Sequence, residues 1–569
     1  MFMKIRIKLL LILFGVLGLT SYAQNLAWVK QIGGLNDESG FSVAVDDSGN
    51  VYTTGGFQGT ADFDPGAGIY NLTAVGWTDI FVTKLNANGN LVWAKQMSGT
   101  WFEEGKSIKV DNSGNVYITG YFHRYEVDFN PGSGTYNLSP NKLDVYIAKL
   151  DVNGNFVWAK QIGGPGDNES FSMAIDKTGN IYITGYFYDT VDFDPGAGIY
   201  NLIPYGHYDV FVSKLDADGN FIWAKQLGGD DTDLANSVAV DDSGNVLVAG
   251  YFKDTADFNP GTGTYHLIAS PLPNSDYAQD AFVCKLNTNG EFIWAKHISG
   301  GWEQQAFSVI ADVNGNVYLT GLFFGTNIDF DPGSGTFNLS SFGNGDIFIC
   351  KLTATGNFLW AKQMGGTSNE WGQSIAVDDA GNIYTTGIWQ GTVDFDPGPG
   401  THILTFEGEY DMFITKFDLN GNFVWVKSIG GKLWDEGKSL TIDDDGMIYA
   451  IGSFKDTVDF GSDILISFGS SDVFVTKFSQ TTTLIIDNKN IQSNEIVFPN
   501  PAQSLITVTS GNNLLNSIEL FDVTGRLTLE VQGNNSNTQI IDLSKYQKGI
   551  YFVKVKTNNG GFTSKIIKY

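Results

Sequence analysis

Two cysteines in 569 residues cannot supply a disulfide framework. Cys284 and Cys350 occupy one slot of consecutive repeats (FVCKL, FICKL), where other copies carry Thr83, Ala148, Ser213, Thr415 and Thr476. Equivalent slots point the same way from neighbouring units, which disfavours the ~5.5 Å Cα separation of a disulfide, so two buried thiols are expected. Histidine is scarce as well: His123, His207, His266, His297 and His402 stand at unrelated phases, with no HExxH and no nucleophile elbow. No catalytic residue is assigned. Positive charge is short, 34 basic against 62 acidic residues for a net charge of -28, which makes nucleic acid and anionic lipid poor partners. Cations and neutral ligands suit it better. The one long apolar run, LLLILFGVLGL, falls short of the ~20 residues that span a bilayer. It follows basic MFMKIRIK and precedes SYA, so residues 1–23 read as an export signal cleaved after Ala23.

What the chain has in quantity is repetition. A hydrophobic share of 42% beside 17% charged residues describes a globular chain with ample core. The frame W-[AV]-K recurs at Trp28, Trp93, Trp158, Trp223, Trp294, Trp360 and Trp425, spaced by 65 residues or slightly more. Each unit carries four strand signals, in the first full copy FSVAV, VYTTGGF, DIFVTKL and LVWAKQ, here called A to D. The short connections DDSGN and NANGN are hairpin turns, so the strands pair in sequence. The expectation is an all-β, seven-bladed β-propeller of four-stranded antiparallel blades. A parallel β-helix has shorter repeats and lacks tight hairpins. Strand B holds a glycine at one position in every unit, Gly55 and Gly120 among them, expected where another backbone approaches closely. The lysines of strand C (Lys84, Lys149, Lys214) and strand D (Lys95, Lys160, Lys225) are expected at a solvated outer edge. The mature chain begins with a lone strand D, LAWVKQ, and the last unit stops after strand C, DVFVTKF. The N-terminal strand should therefore complete the seventh blade.

Through D-x-S-G-N-[VI]-Y-x-T-G and F-V-x-K-L, Leu26 to Ser479 resembles the bacterial β-propeller repeats called SBBP. After a polar linker at 480–495, Ile496 to Tyr569 resembles the type A C-terminal sorting domain of the type IX secretion system. That resemblance rests on FPNPA, IELFDVTGR, IDLSKYQKGIYFVKV and the basic end SKIIKY. It implies a small Ig-like β-sandwich, the secretion machinery as partner, and passage through the periplasm to the outer surface or the medium. The domain plan is thus signal peptide 1–23, propeller 24–479, linker 480–495 and sorting domain 496–569.

The most chemistry-like motif is DFDPG, between strands B and C. It places Asp62 with Asp64, Asp192 with Asp194, Asp329 with Asp331 and Asp394 with Asp396, while two copies carry Asn130 and Asn259. Asx before Pro-Gly is what a hairpin turn requires. Calcium, which needs 6 to 8 oxygens, is the alternative cofactor, with the aspartates opening strand C, such as Asp79 and Asp209, as further ligands. B–C and D–A connections emerge on one face of such a ring, so that face is expected to hold every DFDPG copy together with Trp101, Trp302, Trp371 and Trp434 of the D–A loops. Those tryptophans either stack on a ligand or plug the blade tops. The expected function is a secreted, monomeric binding or adhesion module for an extracellular glycan or protein. The alternative is a glycoside-type hydrolase with paired carboxylates on the same face.

Overall fold

The computed structural model describes residues 20–271, 278–406, 408–484, 495–510, 513–522, 526–533, 536–558 and 560–569. Most of the expected export signal, 1–19, and most of the expected linker, 485–494, lie outside them. The described residues contain no helix.

Gln24–Gln480 forms one compact unit. In its first full repeat, strand A is Glu38–Val45, B is Val51–Phe57, C is Asp79–Leu85 and D is Leu91–Met97. They hydrogen-bond in the order A-B-C-D, and the same four-stranded antiparallel set occurs seven times. The A strands of successive sets touch in a closed cycle, from first to second and on to seventh and back to first. The seventh set takes its outer strand from the N-terminal Thr20–Gly34, which pairs with Asp472–Leu484. Across this seam Gln31 Nε2 donates to Asp472 Oδ2 at 2.5 Å. The unit runs one residue beyond the expected end at 479, and Gln480 accepts a hydrogen bond from Lys416 Nζ at 2.6 Å.

The sequence signals have local causes. Asp46 Oδ1 accepts the N–H groups of Ser48 and Asn50 at 3.0 and 2.9 Å, closing the DDSGN turn, and Gly49 supplies the positive φ of 73°. A Cβ on Gly55 would lie 1.8 Å from the Ser39 carbonyl oxygen, opposite a bulge between Gly40 and Ser42 that recurs in each set. The core lies between neighbouring sets: Val43, Phe57 and Phe81 pack with Tyr449, Ile451 and Val473 of the seventh.

One expectation is corrected. The strand C lysines are not solvated: Lys84, Lys149, Lys214, Lys285, Lys351 and Lys416 are all buried. Lys84 Nζ lies 4.9 Å from the centre of the Tyr52 ring, Lys149 Nζ donates to Ala217 O at 3.0 Å, and Lys285 pairs with Asp241 at 2.8 Å. Their charge is met by a ring face or a carboxylate of the same set, or by a carbonyl of the next.

The segment between B and C is a small hairpin, Thr60–Asp62 with Asn71–Thr73, enclosing DFDPG. Its first strand pairs with the end of the preceding blade's outer strand, Asp62 with Gly33 and Ala61 with Gly34. All seven copies repeat this junction, at Ser98–Asp128, Gly163–Asp192, Gly228–Asp257, Ser299–Asp329, Gly365–Asp394 and Gly430–Asp459.

The sorting region forms a second unit with its own core. Glu495–Phe498, Leu505–Ser510 and Thr538–Asp542 make one antiparallel sheet, and Leu515–Asp522, Leu527–Gln532, Gly549–Thr557 and Gly560–Lys568 make another. Ile506, Val508 and Ile541 from the first meet Ile518, Leu520, Val553 and Ile566 from the second.

Candidate functional site

The DFDPG turns do not stand on the loop face. The register that joins Asp62 to Gly33 carries each turn back along the outer edge of the preceding blade, where Asp192 and Asp194 lie beside Lys160 and Gln161. Phe63, between the two aspartates, is fully buried against Phe57 and Phe81, with ring centres 5.1 and 5.4 Å away. The carboxylates hold backbone. Asp62 Oδ1 accepts the N–H groups of Asp64 and Tyr70 at 3.0 and 2.8 Å, and Asp64 Oδ1 accepts Gly66 N–H at 2.9 Å. Asp192 with Asp194, Asp329 with Asp331 and Asp394 with Asp396 repeat the pattern, and Asn130 accepts Gly132 N–H at 2.9 Å as its aspartate counterparts do. Among the described residues no group of three or more His, Cys, Asp or Glu side chains is placed to hold a metal.

The face where B–C and D–A segments meet carries a different set of residues. Thr78 bridges Phe102 of the next blade in parallel, and the equivalent bridge recurs around the ring, at Tyr208–Thr232 and Tyr410–Trp434 for example. Beside these bridges stand exposed apolar side chains: Trp77 at 59%, Trp302 at 56%, and Tyr125, Tyr205, Phe342 and Phe468. Trp101 is half-buried in a cluster, 6.0 Å from Trp77 and 6.1 Å from Tyr125 between ring centres, with the Arg124 guanidinium 5.4 Å above it. Trp371 and Trp434 are half-buried against Tyr410, at 6.4 and 4.5 Å, and Trp434 Nε1 donates to Glu436 at 3.1 Å. Of the four tryptophans picked from the sequence, only Trp302 stands free. Trp77 was missed because it lies in the B–C segment, beyond the hairpin.

Buried aspartates position this face. Asp79 Oδ2 accepts Val75 N–H at 3.0 Å and Gln96 Nε2–H at 2.6 Å, fixing the segment that presents Trp77. Asp209 holds Tyr205, Asp346 holds Phe342 and Asp472 holds Phe468 in the same way. The other oxygen of each, Oδ1, is buried without a hydrogen-bond partner. Opposite lies the residue that opens the next strand A, which is Glu103 for Asp79, Glu370 for Asp346 and Glu38 for Asp472. Burial first, with the neighbouring charge adding to it, pushes all three glutamates up to about 8. At neutral pH each keeps its proton beside an aspartate. In the third blade Asn168 takes the same place, and its Nδ2 donates to Asp144 Oδ1 at 3.4 Å.

At the ring axis the A strands enclose a channel of about 600 Å³. At its mouth the second and third blades depart from the repeat. Tyr121 donates to Glu104 at 2.8 Å, Tyr186 donates to Glu169 at 2.7 Å, and Lys106 pairs with Glu104 at 2.5 Å. Burial, with the Glu104 charge adding to it, raises Glu169 above the ordinary carboxylate range against the pull of Tyr186 and Lys106.

Known families match segments of both units. The family described as Beta-propeller repeat, SBBP, matches residues 27–55, 157–186, 222–251 and 359–387. The family described as Secretion system C-terminal sorting domain matches residues 496–569. The chain carries SBBP repeats and a type IX sorting domain. The sorting domain marks the SBBP propeller for secretion or cell-surface export, with the type IX machinery as its partner.

Among curated proteins, the chain is similar to an uncharacterized WD repeat-containing protein of Acanthamoeba polyphaga mimivirus, 24% identical over 93% of this chain and 44% of that one. A ulvan lyase of Nonlabens ulvanivorans is 29% identical over 16% of each chain. The chain spans less than half the length of these curated relatives. Among solved structures, Sqt1 from Chaetomium thermophilum aligns at 11% identity over 80% of this chain and 100% of that one, with a TM-score of 0.37.

Proposed function

We propose that the SBBP propeller is an exported binding module whose ligand docks on the loop face, across exposed aromatic side chains that several blades present there. The observation that carries this reading is that buried aspartates fix the backbone of exposed Tyr205, Phe342 and Phe468, and of Val75 two residues before exposed Trp77, since a rigid aromatic pays little ordering entropy on binding. Flat aromatic faces beside hydrogen-bonding loops suit sugar rings and neutral protein surfaces, and the net charge of -28 steers away anionic ones. Export routes through the periplasm to the outer surface, where such a module meets extracellular glycan or matrix protein.

The test is a glycan and matrix-protein array probed with the purified chain, with Trp77→Ala/Trp302→Ala, and with Ile222→Ala on an outer strand as control. Binding should fall about tenfold or more in the double variant and persist in the control, because buried aromatic anchors dominate such contacts. Equal binding by all three proteins would refute the loop face as the site.

A hydrolase reading is favoured by one feature, the pair Glu104 and Glu169 at the channel mouth with Glu169 raised by burial, the state a general acid needs. Turnover of a polysaccharide that Glu169→Gln abolishes would support it.

A further inference from the structure

Lys109 stands in the channel wall without a counter-ion. The equivalent strand A positions carry Ala44, Ala174, Ala239, Ile310, Ala376 and Thr441, so no charge faces it from its own tier. The other two lysines of the wall are matched, Lys106 by Glu104 at 2.5 Å and Lys438 by Glu436 at 2.9 Å. The Lys109 ammonium has no ion pair or hydrogen bond among the described residues, and burial pulls its amine below the usual lysine range. An unmatched cation in a protein with a net charge of -28 has no shortage of acids to pair with elsewhere, yet none is placed here.

The tier next to Lys109 is a ring of serines, one from each blade. Ser42, Ser107, Ser172, Ser237, Ser308 and Ser374 each accept an N–H group from the following blade through Oγ, as Ser42 does from Ile108 at 3.2 Å and Ser107 from Met173 at 3.1 Å. With one lone pair engaged by backbone, each of these six hydroxyls keeps its proton for an acceptor, and among the described residues none is bonded to one. The tier beyond, toward the loop face, carries Phe41, Phe171 and Phe307 with Lys106, Asn236, Gln373 and Lys438 between them, and Lys106 Nζ lies 3.7 Å from the centre of the Phe41 ring. From the A–B turn end to the loop-face end the channel therefore offers one unpaired ammonium, a ring of serine hydroxyls and a tier that includes three aromatic rings.

We propose that the axial channel binds a small organic acid, its carboxylate paired with Lys109 and bonded by the serine hydroxyls, its apolar body between the phenylalanine rings. A volume of about 600 Å³ falls within the range of small-molecule sites. The protein's negative field opposes entry only at long range, because salt screens it beyond about 8–10 Å. Inside the walls the Lys109 charge is nearest and least screened. This site is separate from the loop face, so either can fail without the other.

The probes are benzoate, acetate, inorganic phosphate and benzylamine, each titrated into the full chain by calorimetry with the melting temperature followed in parallel. Lys109→Ala is the variant, and it reproduces the residue that four of the six equivalent positions already carry, so the ring tolerates it. Benzoate should bind one per chain and raise the melting temperature, acetate should bind more weakly, and benzylamine should not bind. Lys109→Ala should lose about tenfold or more in benzoate affinity, as loss of a charged hydrogen-bonding partner does, and Ser308→Ala should lose less. Benzoate binding unchanged in Lys109→Ala, or no binding of benzoate at all, overturns the proposal. Phosphate binding that exceeds benzoate binding overturns the organic acid as its ligand.

Discussion

Glu103→Gln should flatten the alkaline side of the propeller's stability curve. The side chain is fully buried where the first two blades meet, and burial, with the Asp79 charge second, pushes its carboxyl from 4.5 up to about 8. The unfolded chain releases that proton near the ordinary value. Between the two values the folded state binds more protons than the unfolded one, so stability falls as pH rises. The contribution is complete below about 4.5 and is lost as pH passes through about 8. For one such group the loss between about pH 6 and about pH 8 comes to ~2 kcal/mol. At ~2.1 cal/mol/K per residue, a unit of roughly 450 residues has an unfolding entropy near ~1 kcal/mol/K, so the loss is worth ~2 °C of melting temperature. Glutamine cannot release a proton and already serves at the equivalent Gln304. Scanning calorimetry at about pH 6, 7 and 8 should therefore show the parent's propeller transition falling ~2 °C further than the variant's. Asn168→Asp, which adds an acid beside Asp144, should steepen the fall. Equal pH dependence of parent and Glu103→Gln would refute the buried, protonated carboxyl.

Deleting Asn25–Gly33 should lower the melting temperature and induce self-association, measured by calorimetry and light scattering, because it strips the seventh blade of its outer strand and exposes Asp472–Leu484 as an edge. Asp194→Asn with Asp331→Asn should melt like the parent with or without chelator, since Asn130 and Asn259 accept the same turn hydrogen bonds; a calcium-dependent difference would show that these carboxylates bind metal. Removing 496–569 should leave a folded propeller inside the cell envelope, checked by fractionation and protease resistance, and undiminished appearance outside the cell would refute the sorting role.

The four-strand unit, the closing N-terminal strand and the sorting domain are all legible in the sequence, because local periodicity, turn residues and strand phase determine them. The turn chemistry of DFDPG was legible too, down to the equivalence of Asn130 with Asp194. Its location was not, since a hairpin that pairs with another blade leaves no local trace; the hint was Phe63, an apolar residue held between two aspartates. Lys84 misled because alternation suggests an edge, although the unbroken apolar run around it argues for burial on both faces. Glu103 and Asp79 lie 24 positions apart on different blades, so their encounter is a property of the ring. Tyr205, Phe342 and Phe468 differ in type and share only a place four residues before the Asp that anchors them, where the first blade has Val75 and presents Trp77 two residues later.

The B–C hairpins also give the ring a mechanical property. Away from these hairpins, neighbouring blades are joined by their packed cores, the serine bonds between A strands and the bridges on the loop face, so the hairpins add the backbone link that lies at the rim. Each hairpin ties the rim of one blade to the next through backbone hydrogen bonds, and the tie between Gly33 and Asp62 does so from the N-terminal strand that closes the seventh blade. Such a perimeter works as a hoop. Radial force is converted into tension along seven short links in series, and a protein standing outside the cell in flowing medium meets shear with its whole circumference.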